Sequence, residues 1–148
     1  MSLDGAYEAD NIFARILRGE IPSARVYEND AVLAFMDAFP QARGHALVIH
    51  KTSRARNLLE AEPRALTELI LAVQTVTRAV RAALNPDGVT ITQFNGASAG
   101  QTIFHLHFHI LPRWEGESIG RHGGGQADPA ELAALAATIA AHIGPPAA

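Results

Sequence analysis

Three histidines stand at alternate positions in FHLHFHILPRW, residues 104–114. His105, His107 and His109 alternate with Leu106, Phe108 and Ile110. In a β-strand successive side chains point to opposite faces, so the three imidazoles would share one face, neighbouring Cα atoms about 7 Å apart. The apolar partners would face a core. A dry core seldom holds three unpartnered imidazoles, so the histidine face must be solvated, liganded or catalytic. Three readings stand on spacing alone. The row is a polar strand face that is rich in histidine. It is a metal site, since H-x-H on a strand can supply two imidazole ligands. Or it holds a histidine nucleophile, since imidazole attacks phosphorus at neutral pH and a phosphorylated ring nitrogen leaves readily.

The preceding loop, NGASAGQT at 95–102, bears on the choice. Gly96 and Gly100 would let backbone amides approach an anion closely. Asn95, Gln101 and Thr102 offer neutral donors. A neutral donor loop beside a histidine row suits a phosphate under attack. It suits a metal site less well, because no Asp or Glu lies close by in sequence to complete or orient the ligands.

The elements that must position these residues are legible in the hydrophobic pattern. Asp10 can cap a helix starting at Asn11, with Ile12, Phe13, Ile16 and Leu17 on one side; Gly19 ends it and Pro22 prevents its resumption. ARVYEND (24–30) and AVLAFMDA (31–38) read as two strands around the turn Glu28-Asn29-Asp30, and HALVIHK (45–51) as a third. The longest helix opens at Pro63 and runs to Leu84, with a stripe of Leu66, Leu69, Ile70, Val73, Val76 and Val80. VTITQFN (89–95) and IFHLHFHIL (103–111) are strands four and five. DPAELAALAATIAAHIG, from 128, is an alanine-rich helix capped by Asp128 that could pack on the body or project from it. Hairpin-joined strands with helices grouped between them predict an α+β fold on an antiparallel sheet. No repeat or linker divides the chain, so a single domain over 1–148 is expected: a core at about 10–114, a glycine-rich tail at 115–127, and a helix at 128–143.

The whole-chain numbers agree. The sequence has 148 residues, 48% of them apolar, enough for a core without staples. The formal charge is −3 with no long run of one sign, which argues against sequence-independent nucleic acid binding. With no cysteine, disulfides and thiolate metal sites are excluded. No apolar run approaches the roughly 20 residues of a membrane span. The opening Met1-Ser-Leu-Asp-Gly lacks the basic and apolar regions of a secretory signal. A cytoplasmic protein that touches neither membrane nor nucleic acid is the expectation.

HLHFHIL resembles the His-x-His-x-His-x-x signature of the histidine triad (HIT) family, with x apolar. AGQTIF is similar to the family's Gly-Gln-Ser/Thr lead-in, and LPRW to a common continuation. NIFARILRGEIPSARVYEND and AVLAFMDAFPQARGHALVIHK resemble the amino-terminal half of the Hint-type and bacterial branches. The likeness runs from about Asp10 to Trp114. It implies a HIT-like fold: about five antiparallel strands, a long helix packed on them, a short N-terminal helix, and here an extra C-terminal helix.

The resemblance also implies chemistry: nucleotidyl transfer or hydrolysis at an α-phosphate, through a nucleotidylated His107 later cleaved by water. His109 would bind phosphate oxygens together with Asn95, Gly100, Gln101 and Thr102, and His105 would position its neighbours. His45 aligns with another family histidine near the triad; read from its strand alone, it is a half-buried histidine with a satisfied partner. His50 receives no role. Ile12, Phe13, Ile16, Phe35 and Ala38 would wall a nucleoside pocket, and Asp37 would accept hydrogen bonds from ribose hydroxyls. Periodicity alone makes the first three plain core and Asp37 a cap or turn residue.

Several bacterial relatives hold a structural zinc with a Cys-x-x-Cys and a histidine. Here those positions read Asn11, Ala14 and Ser53, so no structural metal is expected. No cofactor is required, although substrates with several phosphates would bring Mg²⁺. The expected substrates are AMP- or GMP-linked purine nucleotides, cleaved as by a nucleoside phosphoramidase. The alternatives are a dinucleoside polyphosphate hydrolase, a non-catalytic nucleotide-binding regulator, and a metalloenzyme on the histidine row. The uridylyltransferase branch typically replaces the third histidine by glutamine, whereas His109 is present. Arg113, Trp114, Arg121 and His122 could contact a leaving group. Family members usually form homodimers, and the helix over 63–84 is a plausible contributor to such an interface.

Overall fold

The computed structural model describes residues 2–120 and 124–144. Five antiparallel strands form one sheet in the order β1-β2-β3-β5-β4. These are β1 (Arg25–Glu28), β2 (Val32–Met36), β3 (Ala46–His50), β4 (Gly88–Thr92) and β5 (His107–Arg113). Among the described residues three α-helices accompany them: α1 (Ile12–Leu17), α2 (Pro63–Leu84) and α3 (Pro129–Ala140).

Strands β2 and β3 are buried at every position. Their near-continuous apolar runs VLAFM and ALVIH arise because both faces are covered. On one face Val32, Ala34, Met36, Val48 and Ile110 pack against Leu69, Val73, Val76 and Val80 of α2 and Ile139 of α3. On the other, Leu33, Phe35, Leu47 and Ile49 pack against Phe13 and Ile16 of α1. His107 pairs with Ile49 and His109 with Leu47 across the β3–β5 ladder. Paired residues share a face, so both histidines stand on the α1 side.

The tight turns follow from side-chain chemistry. Asn29 Oδ1 accepts from the amides of Ala31 at 2.8 Å and Val32 at 2.9 Å, which closes the β1–β2 hairpin. Asn85 ends α2 in the left-handed region, at φ 50°. Gly44, at φ +88°, lies where an added Cβ would come within 2.5 Å of Leu84 Cδ1 and 3.0 Å of Pro112 Cγ. That contact seats the loop before β3 on the end of α2.

Four expectations are corrected. The cap of α1 is Asn11, whose Oδ1 accepts from Ala14 N at 2.9 Å; the helix starts one residue later than Asp10 would dictate. Ile12 is 49% exposed, off the apolar side of α1. Ile70 is also 49% exposed, and the stripe of α2 is completed instead by Ala65, Ala72 and Ala79. Small residues let the helix lie close on the sheet. The fifth strand begins at His107, so His105 stands in the irregular segment before it. Helix α3 packs on the body: Asp128 caps it by accepting from Ala130 N, and Ala136 and Ile139 are buried.

Candidate active site

All three row histidines are buried, each at most 6% exposed, and each ring is held by a specific partner. The partners fix the tautomers, because a main-chain carbonyl can only accept and a main-chain amide can only donate. His107 Nδ1 lies 2.7 Å from the carbonyl oxygen of His105, so Nδ1 carries the proton and the lone pair resides on Nε2. His105 Nε2 lies 3.1 Å from the carbonyl oxygen of His50 and therefore donates. Its Nδ1 must accept, from the Tyr7 hydroxyl at 2.7 Å. His45 is fully buried, and its Nδ1 accepts from Gln41 N at 3.1 Å. Its Nε2 then donates to His109 Nδ1 at 2.9 Å, which leaves the second proton of the neutral pair on His109 Nε2. The Asp37 carboxylate lies 3.4 Å from the same His45 nitrogen.

Electrostatics follow the same lines. Burial, which disfavours the imidazolium, pushes His105 down to about 4, and the charges of His107 and His50 push the same way; the His50 carbonyl opposes them. His105 is thus a neutral structural ring at physiological pH. His107 stacks edge-on against Phe13, with centroids 4.8 Å apart. It also lies against His109, at 4.9 Å.

A cavity of about 650 Å³ opens beside His107 and His109, within the size range of small-molecule sites. Its walls include all six residues expected around a nucleoside: Ile12, Phe13, Ile16, Phe35, Asp37 and Ala38. Ile12, half exposed, is one of the residues that line the cavity beside Phe13 and Ile16. Asp37 Oδ1 also accepts from Phe39 N at 2.8 Å, which fixes its carboxylate at the end of β2. The cavity crosses the sheet from β5, past Leu47 on β3 and Phe35 on β2, to Ser23 and Ala24 before β1. Three strand spacings make that span roughly 14 Å.

The loop donors are not all brought to the cavity. Thr102 lines it. Gln101 is buried, and its amide donates to the carbonyls of Arg56 at 2.7 Å and Ile103 at 3.0 Å while its Oε1 accepts from Gly96 N. Asn95 Oδ1 accepts from Leu58 N at 2.9 Å, and its amide donates to Gln93 at 3.0 Å. The Gly100 amide donates to Ala97 O at 3.0 Å, in a left-handed turn at φ +104°. Asn95, Gly100 and Gln101 therefore build the loop and tie it to Arg56 and Leu58, and these polar groups are engaged in structural bonds. Arg113 and Trp114 border a separate recess of about 470 Å³. Arg121 and His122 lie outside the described residues.

Several wall residues went unanticipated. Gln126, Ala127, Leu132 and Ala133 close the cavity from the start of α3. Ala127 N donates to Ala38 O at 2.9 Å beside the cavity, and Gly120 and Gln41 exchange hydrogen bonds. Ser23, whose buried hydroxyl has no partner among the described residues, also lines the wall. Tyr7 and the His50 carbonyl were missed too. No local pattern marks any of these, because their partners are distant in sequence.

A HIT domain matches residues 18–116. The chain belongs to the HIT domain family. Among solved relatives, a Hit-like protein from Bartonella henselae described as involved in cell-cycle regulation is 48% identical, with a TM-score of 0.86 over 93% of this chain and 99% of that one. A hypothetical histidine triad nucleotide-binding protein from Sulfolobus tokodaii is 34% identical, with a TM-score of 0.81 over 88% and 90%. The adenylylsulfatase HINT3 of Arabidopsis thaliana is 37% identical over 76% of this chain and 60% of its own. This HIT chain thus carries the family's histidine row on a sheet like that of its relatives.

One cluster could be read as a metal site: Asp37, His45 and His109 bring ligand atoms within 4.8 Å of one another. Two imidazoles and a carboxylate are a suitable donor set for zinc. The hydrogen bonds oppose it. A cation on His45 Nε2 would need Nδ1 to carry the proton, yet Nδ1 receives the Gln41 amide at 3.1 Å. The residues at the relatives' zinc positions do not fit a metal either. Asn11 caps α1, Ala14 has no donor atom, and Ser53 Oγ donates to Glu62 at 2.7 Å.

Proposed function

We propose that this HIT protein is a nucleotidyl hydrolase of the nucleoside phosphoramidase type. It acts on the α-phosphate of purine nucleotide conjugates through a covalent nucleotidyl-His107. The observation that carries the reading is the 2.7 Å contact between His107 Nδ1 and the carbonyl of His105, beside a cavity long enough for phosphate, sugar and base in line. The carbonyl holds the ring proton on the far nitrogen, so the near nitrogen, Nε2, is the nucleophile.

In the first step the Nε2 lone pair attacks the α-phosphorus and the phosphorus–nitrogen bond of the conjugate breaks. The leaving nitrogen takes a proton from solvent as it departs as the amine. Nδ1–H stays on the His105 carbonyl while the phosphorylated ring becomes cationic. That charge makes the ring a good leaving group. Water then attacks the same phosphorus and gives up a proton to solvent, the bond to Nε2 breaks with its electron pair returning to the ring, and the free nucleotide leaves. His109 Nε2–H and Thr102 would donate to the non-bridging oxygens as their charge grows. Asp37 would accept from the ribose hydroxyls. The apolar walls would hold a purine with little discrimination between bases. No metal has a role in these steps.

The names of two relatives, a histidine triad nucleotide-binding protein and an adenylylsulfatase, are in keeping with adenylyl chemistry. A two-fold homodimer is part of the reading, with the exposed Ile70 and Leu71 of α2 on the joining surface. Hydrolysis of a fluorogenic adenosine phosphoramidate in EDTA, by wild type and by His107→Ala, tests the function. Turnover lost in the variant is expected; turnover retained by His107→Ala overturns it.

A further inference from the structure

The chain before α1 lies outside the matched HIT domain, yet it reaches the histidine row. Its first residues are pinned on the fully buried guanidinium of Arg56, which donates to Leu3 O at 3.1 Å and Ser2 O at 3.5 Å. Asn57 adds a bond to Leu3 O at 3.0 Å. Gly5 lies against the same guanidinium; a Cβ there would sit 3.1 Å from its central carbon. The Arg56 guanidinium also covers the ring of Phe104, at 5.1 Å. Tyr7 follows, with its hydroxyl 2.7 Å from His105 Nδ1 and the Arg54 guanidinium 5.0 Å above its ring. The segment therefore holds His105 directly and is tied to Phe104 through Arg56.

That grip falls just before the strand ladder begins. His107 is the first residue of β5, so residues 104–106 lack a strand ladder. Leu106 N donates to Ala55 O at 3.0 Å. That bond holds the planar peptide that carries the His105 carbonyl, on which the His107 proton rests, and the His105 ring is its second anchor. That ring has two attachments: His50 O at Nε2 and Tyr7 at Nδ1. Because the first only accepts, the second must donate, and a phenylalanine could not replace it.

We infer that Tyr7 is a positioning residue for the nucleophile: its hydroxyl, acting through the His105 ring, holds the carbonyl that fixes the His107 tautomer. This rests on the His107 mechanism proposed above. Tyr7 touches no reacting atom, so it should act on the rate of chemistry and not on nucleotide affinity.

The test is Tyr7→Phe, which keeps the ring and removes one oxygen. With the adenosine phosphoramidate, kcat is expected to fall about tenfold, as for a nucleophile displaced by a fraction of an ångström, with KM within twofold. In ¹⁵N NMR of the free protein, His105 Nδ1 should move toward an unbonded ring nitrogen, and the His107 Nδ1 proton should exchange faster with water. Unchanged kcat overturns the inference, as does a fall in kcat with the His107 proton signal unaltered. The NMR readout needs no turnover, so it still decides the role of Tyr7 if the wild type proves inactive on this substrate.

Discussion

His45→Leu is the perturbation that separates a tautomer-setting relay from a merely packed histidine. In the wild type the Gln41 amide at 3.1 Å places the His45 proton on Nε2, and Nε2 donates to His109 Nδ1 at 2.9 Å. Leucine fills the site and removes both contacts. A half-buried donor at Gln41 and a buried acceptor at His109 each lose a bond, at about 1–3 kcal/mol each, partly offset by the buried leucine, so a net loss of about 2–4 kcal/mol is expected. At roughly 2–4 °C per kcal/mol for a chain of this size, Tm should fall by roughly 5–15 °C. The rate should suffer more. Without the His45 donor, His109 can place its proton on Nδ1 and turn a lone pair toward the phosphate oxygens. Loss of one preorganised donor to a developing oxyanion costs on the order of 10²–10³ in kcat. The assay is phosphoramidate turnover at 15 °C, where the variant stays folded. His45→Gln, which can return an N–H to the same place, should recover part of the loss. A folded His45→Leu with kcat within threefold of wild type would refute the relay.

The remaining predictions concern stability. Gly44→Ala should cost about 2–4 kcal/mol, combining left-handed strain at φ +88° with a Cβ 2.5 Å from Leu84 Cδ1; a melting curve within 2 °C of wild type would mean that the loop yields freely. His105 should make stability depend on pH. Its unfolded ring takes up a proton near 6.5 and its folded ring near 4, so both are neutral above pH 6.5 and only the unfolded one is charged between the two values. Stability is therefore expected to fall as pH drops from about 6.5 to about 4, by about 3 kcal/mol in total, and this contribution levels off below that. Urea unfolding at pH 7, 6 and 5 reads the slope, and an NMR titration that places His105 near 6.5 in the folded protein would contradict it.

The sheet and the long helix were legible because their patterns are locally encoded. VLAFM and ALVIH are too apolar for one-sided strands, and α2 opens at Pro63 and ends at Leu84 as its sequence dictates. That His107 would share one cavity with Ile12, Phe13, Ile16, Phe35, Asp37 and Ala38 was legible through the family resemblance. What the motif could not supply was commitment. Asn95 and Gln101 have the right chemistry for a phosphate cradle, but their amides are taken by Gln93 and by the carbonyls of Arg56 and Ile103. Residue type gives capacity; only the fold assigns partners. His105 looked like one tooth of a regular comb, yet the ladder begins two residues later, and its ring anchors backbone instead of facing a ligand. Ile70 obeyed the helical period but fell on the open side, because alanines filled the close approach to the sheet. Tyr7 and the start of α3 reach the site across long stretches of chain, and periodicity carries no information about such contacts.

The covalent intermediate is tested most directly by the stereochemistry at phosphorus. The substrate is an adenosine phosphorothioamidate of known configuration, hydrolysed in ¹⁸O-labelled water with EDTA present. Attack by His107 followed by attack of water inverts the centre twice, so the account predicts overall retention. Overall inversion would show that water attacks the substrate directly and would contradict a nucleophilic His107.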